Sequence, residues 1–121
     1  MSDLGVDMEK YLELNGKYLR EADQLLRKKD YAQASEKLWE AAAEMMKAVA
    51  AKRGFTLGTH RSLSDFLTKL HKEHPEWKLP DKYAHANSLH TNFYEDWLSP
   101  ELVEQSAVSV KEFVLLLRKL L

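Results

Sequence analysis

Imidazole exchanges protons near neutral pH, so the five histidines are where this chain would carry acid–base chemistry. There is no cysteine, which excludes thiolate nucleophiles, disulfides and zinc–thiolate centres and leaves the redox compartment unread. His85 and His90 lie in the segment HANSLHTNFYEDWL. Bond cleavage by proton transfer needs a base to take one proton, an acid to return one to the leaving group and cationic donors for the charge between them. Two imidazoles can divide the first two roles. On one straight helix, however, His85 and His90 project about 140° apart, so they converge only if the helix ends early or a second chain supplies one of them.

His90 shares its helical face with Tyr83, Asn87, Tyr94 and Trp97, at steps of four, three, four and three. One reading is a packed face whose polar tips satisfy one another. The other is a pocket or interface, with His90 as acid or base and Asn87 or Tyr94 orienting a phosphate or base. The opposite face presents His85, Asn92 and Asp96, which are expected to be solvated. A basic patch can be assembled from Lys52, Arg53, His60 and Arg61, giving Arg53 and Arg61 as phosphate or RNA contacts, against the plainer reading of a charged loop. Lys69, His71, Lys72 and His74 form a similar cluster. His71 and His74 have a spacing that can ligate a metal, but no carboxylate-rich shell accompanies them and the lysines repel cations. Neither a metal nor a cofactor is expected.

The elements that must position these residues follow from periodicity. The chain has 121 residues, 45% of them hydrophobic, enough for one domain over 1–121 with a single core. Four Gly and three Pro leave few turns, which favours long helices over a sandwich or barrel. Met8 to about Arg27 shows one apolar face; Gly16 within it costs about 1 kcal/mol relative to Ala, so packing must hold this helix. Asp30 is placed to cap a second helix from Tyr31 to about Arg53, with Ala41, Ala42 and Ala43 allowing close helix approach and Gly54 as its stop. The short joint forces these two into an antiparallel hairpin.

Ser62 and Asp65 read as a capping pair for a short third helix closed by Pro75. Pro80 and Asp81 open a fourth reaching about Trp97, and Ser99 with Pro100 opens the last. That last helix carries Val103, Ala107, Val110, Val114, Leu117 and Leu121, with a second stripe of Phe113, Leu116 and Leu120. Two stripes fit either a central buried helix or a helix that pairs with a second subunit. The fold class is therefore all-α, a four- to five-helix up-and-down bundle around a central antiparallel hairpin.

The runs DYAQASEKLWEAAAEMMKAVAAKRG from Asp30, HRSLSDFLTKL from His60 and HANSLHTNFYEDWL from His85 resemble the archaeal PaREP family, which belongs with the HEPN-like helical domains. The resemblance covers roughly Tyr18 to Leu121 and is most specific at LHTNFYE. It implies a bundle with an antiparallel core hairpin, commonly dimeric, in a superfamily where many members are metal-independent endoribonucleases. Active members carry an Arg followed four to six residues later by a His. His90 is the best match for that His, and His85 stands where the Arg would be. Asp30, Tyr31, Ala34, Ala41 and Ala48 also resemble one tetratricopeptide hairpin, but no other segment repeats the pattern.

Two functions follow as expectations. One is an RNA-associated HEPN-like protein, an endoribonuclease of toxin or defence type with a degenerate motif, using His90 and His85. The other is a non-catalytic dimeric module that binds a ligand or partner helix. The formal charge of −1 supplies no global field toward nucleic acid, so contact with RNA or a nucleotide must be local. A homodimer through apolar helices is the expected partner. No stretch approaches the roughly 18 apolar residues that span a bilayer. Met1 to Asp7 do not read as a secretory leader, which points to the cytoplasm.

Overall fold

A computed structural model describes residues 4–121; Met1 to Asp3, part of the stretch read for a leader, lie outside them. Five helices follow in order: α1 (Leu4–Arg27), α2 (Tyr31–Lys52), α3 (His60–Glu73), α4 (Leu79–Glu95) and α5 (Pro100–Arg118), with a single 3-10 turn at Pro75–Trp77. No strand occurs among the described residues, and the helices pack on one another as a bundle. No helix described is long and apolar enough to cross a membrane.

The α1–α2 hairpin forms as its joint predicts. Lys29 takes a left-handed backbone (φ 62°), the Asp30 amide donates to the Leu25 carbonyl at 2.9 Å, and the Asp30 side chain accepts from the Gln33 amide. The turn thus satisfies the end of α1 and the start of α2 together. Ala22 and Asn15 of α1 are fully buried, and Asn15 Nδ2 donates to the Ala41 carbonyl at 2.7 Å. A backbone contact of that kind requires the small side chains at Ala41 to Ala43. This packing offsets the weak helix propensity at Gly16. α1 also begins one turn earlier than its apolar pattern, with Asp7 in the first turn favoured by the helix dipole.

α2 is the central helix, with Leu38, Met45, Met46 and Val49 wholly buried among residues of α3, α4 and α5. Each such side chain contributes about 1.5–3 kcal/mol through burial. One reading of the sequence gave the central position to α5. Instead α5 buries Val103, Val110, Phe113 and Leu117 on one side and leaves Val108 and Leu115 in solvent on the other. Both expected stripes face inward, with Phe113 of the second buried and Leu116, Leu120 and Leu121 packed against the core, while Val108 and Leu115 belong to neither.

Gly54 ends α2 with φ +94°, and the Phe55 amide reaches the Ala50 carbonyl at 3.1 Å. The chain then doubles back. Leu57 is buried beside Ala43, and His60 lies beside Trp39, so residues 54–59 retrace α2 toward its middle. Six extended residues reach about 20 Å, close to the rise of 14 helical residues, which is the separation of Arg53 from Trp39. α3 starts there at His60. Its cap is Thr59, whose side chain accepts from the Ser62 amide at 3.0 Å while Ser62 Oγ accepts from the Thr59 amide at 3.0 Å. The expected Ser62–Asp65 box is displaced because α3 already begins at His60, which puts Ser62 at the third helical position; Asp65 bonds Arg61 instead.

Asn92 corrects another expectation. Placed on a solvated face by its helical position, it is wholly buried: Nδ2 donates to Ser35 Oγ at 3.0 Å, and Oδ1 accepts the Trp97 and Leu98 amides at 2.9 and 2.8 Å. A carboxamide has the donors and acceptors to satisfy a helix end inside the protein. α4 therefore stops at Glu95, with Asp96 left-handed (φ 49°). Ser99 then caps α5 as predicted, its hydroxyl accepting from the Leu102 amide.

Candidate functional site

Where α3 begins against the middle of α2 and α4, three near-parallel rings meet. The Trp39–His90 centroids are 5.0 Å apart, His60–His90 5.2 Å and Trp39–His60 5.6 Å, with interplanar angles of 27°, 26° and 11°. Trp39 is almost fully buried, so it forms a rigid floor; His60 is exposed and His90 partly so. Tyr83 meets Trp39 edge-on at 6.0 Å and Tyr94 meets His90 edge-on at 5.7 Å. Such edge contacts favour the ring quadrupoles and fix orientation.

Glu36, one turn before Trp39 on α2, places Oε1 2.8 Å from His90 Nδ1. A carboxylate only accepts, so Nδ1 carries the hydrogen and Nε2 of the neutral ring is left as the basic nitrogen. This is a histidine whose tautomer and tilt are set by an acid, with a second imidazole beside it. His60 is the first residue of α3, where the helix dipole favours negative charge. A depression of about 250 Å³ beside it is lined by Trp39, Lys47, Gly58 and Thr59 among others. The site thus combines a held base, a second proton carrier and a buried aromatic floor, and Lys47 of the adjoining depression is paired with Glu44 at 3.5 Å.

The surrounding acids are crowded. Glu36, Glu40 and Glu44 recur every four residues on α2. The Glu40 carboxyl is raised above the usual range, first by burial and then by Glu36 and Glu44, against the lowering effect of Lys37. Burial likewise raises the Tyr83 phenol, which keeps it a neutral donor.

The other sequence candidates are dispersed. His85 turns away from His90, as the helical angle requires, and its Nδ1 lies 2.7 Å from Ser109 Oγ of α5, in a cleft of about 380 Å³ also lined by Trp97. Trp97 leaves the His90 face because α4 ends before it. Asn87 is exposed, its carbonyl accepting from Thr91 Oγ1, and Tyr94 is exposed at the rim beside His90.

The basic patch divides between the two ends of α3. Arg53 makes two bonds of 2.9 and 2.8 Å to Glu73 at the end of α3, which hold that carboxyl below its usual range, and its guanidinium sits 5.7 Å from the Phe66 ring centre. Arg61, at the start of α3, is engaged by Asp65 at 3.0 Å. His74 stacks on Trp77 at 4.0 Å, and among the described residues no three His, Asp or Glu side chains are grouped to hold a metal.

Neither Glu36 nor Trp39 stands out in the sequence as a site residue, and His60 reads there as part of the basic patch. Their sequence signal is slight: an acid one turn from a tryptophan, in a helix otherwise destined for the core. What joins them to His90 is the return of residues 54–59 along α2, which periodicity does not report.

No curated protein and no solved structure matches the chain. The profile of the archaeal PaREP1/PaREP8 family matches residues 10–114, a span that holds α2, α3 and α4 whole and with them Glu36, Trp39, His60 and His90. By that match over most of its length, the chain belongs to the archaeal PaREP1/PaREP8 family.

Proposed function

We propose that this protein is a HEPN-like, RNA-associated member of its family that cleaves RNA without a metal, through the His60–His90 pair. The observation that carries the reading is the 2.8 Å contact between Glu36 Oε1 and His90 Nδ1, with the His60 ring 5.2 Å from that of His90. His90 Nε2 acts as the base that takes the 2′-hydroxyl proton, and His60, in its protonated form, delivers a proton to the leaving 5′-oxygen. Lys47 and the start of α3 offset the charge that gathers on phosphorus. Tyr94, exposed at the rim, supplies a face for a nucleobase. His60 takes the role for which the sequence offered His85, and the missing motif Arg is no longer required as the second group.

The partner in this reading is a second copy of the chain, in the cytoplasm, where RNA is the substrate. Exposed Val108 and Leu115 on α5 support self-association.

The test is incubation of the purified protein with single-stranded and structured RNA in the presence of a chelator. Cleavage that leaves a cyclic 2′,3′-phosphate is expected, falling by about 10²-fold or more in His90→Ala and in His60→Ala. Absence of cleavage, or cleavage unchanged by both substitutions, overturns the catalytic reading. RNA binding that persists without cleavage, and weakens in Tyr94→Ala, favours the non-catalytic binding module.

A further inference from the structure

The solvent face of α5 is self-complementary. At 100° per residue, Glu104, Val108, Lys111, Glu112, Leu115 and Lys119 fall within an arc of about 100°, and all six are exposed. Val108 and Leu115 are 57% and 63% exposed, high for aliphatic side chains so close on one helix. Leu115 stands as a ridge between two grooves. One, of about 590 Å³, includes Trp77 and Leu116; the other, of about 310 Å³, includes Leu19 and Val114.

The order of these residues carries the argument. Reversing the face about the point between Lys111 and Glu112 places Glu104 on Lys119, Val108 on Leu115 and Lys111 on Glu112. From 104 to 119 every acid is then level with a base and every aliphatic with an aliphatic; Glu101, in the same arc, has no counterpart. A two-fold axis requires that relation, since residue i on one copy meets j on the other while j meets i. Lys111 already holds Asp23 of its own chain at 2.8 Å, but an ammonium has three donors and can serve both acids.

We infer that two copies of this chain pair through α5, antiparallel, about a two-fold axis passing between Lys111 and Glu112, with each Leu115 ridge set beside the other copy's Val108. The occupant is a second copy because the face matches itself in charge and in apolar position, a coincidence that a different partner would not need. The inference deepens the self-association proposed above by assigning its face and register, and it is independent of the histidine site.

Sedimentation or light scattering over the micromolar range tests it, with circular dichroism to confirm that each variant is folded. The wild type is expected to dimerise, and Leu115→Glu and Val108→Arg to be folded monomers. Glu104→Lys and Lys119→Glu should each weaken the dimer about tenfold or more, because each charge pair occurs twice per dimer. The double variant Glu104→Lys/Lys119→Glu should return to within about threefold of wild type, since the exchange regenerates both pairs. A monomeric wild type overturns self-association and this register together. A dimer that survives Leu115→Glu and Val108→Arg, or a double variant as weak as the singles, overturns the α5 register and leaves self-association through another face.

Discussion

Glu36 and His90, 54 positions apart in the chain, are joined by a 2.8 Å contact between Oε1 and Nδ1. The pair links the central helix to α4 and fixes which nitrogen of the imidazole faces away from the acid. Glu36→Gln keeps the side chain's shape while replacing a charged acceptor with a neutral amide. Loss of the charge-assisted bond should lower stability by about 1–2 kcal/mol at neutral pH, read as a shift in the denaturation midpoint. An unchanged midpoint, together with His90 ring signals unaltered by NMR, would show that the contact does not orient the ring.

Asn92 is the polar residue on which the α4–α5 corner depends. Asn92→Ala removes one bond to Ser35 and two from the Trp97 and Leu98 amides, leaving donors without acceptors in a buried setting. The expected loss is about 2–4 kcal/mol. Urea titration measures it. Hydrogen exchange should rise at the Trp97 and Leu98 amides before it rises in the core of α2, and uniform protection across both regions would contradict the role given to Asn92.

Glu40, although 3.9 Å from Lys37, gives a pH dependence of opposite sign to an acid whose partner dominates it. Its folded carboxyl is raised by burial and by neighbouring acids, so above the ordinary value of 4.5 the folded chain holds its proton longer than the unfolded chain does. Where the folded state binds more protons, stability falls as pH rises, through the interval from the unfolded to the folded value. Glu40→Gln should therefore be more stable than wild type at neutral pH, and its advantage should shrink as pH falls below that interval. Thermal melts of both proteins between pH 3 and pH 7 measure the difference; a constant gap would place the strain elsewhere.

Much of the bundle was legible because helices announce themselves by period and cap. Asp30, Gly54 and Ser99 perform at their ends the tasks their chemistry suggests, and the alanines at 41–43 admit α1 as their size allows. The helical angle of Asn92 points to solvent, but α4 terminates within the protein and the need to satisfy its end prevails over position. The breadth of the apolar surface on α5 was visible, whereas which helix lies at the centre depends on packing from all sides.

His90 was recognised by residue type and sequence resemblance. Its companions were not, because Glu36, Trp39 and His60 lie on three segments whose meeting is set by the path of the loop. Arg53 and Arg61 were grouped by closeness in sequence, and α3 carries them apart.

The return of residues 54–59 along α2 makes chain length a ruler. Because Gly54 fixes where the segment leaves and Thr59 fixes where α3 begins, the number of intervening residues determines which level of α2 His60 reaches. Positions Thr56 and Gly58 are exposed and open to change, but adding or removing a residue would slide one imidazole along the other helix by a fraction of a turn and dissolve the ring stack. The segment is thus permissive in composition and strict in count.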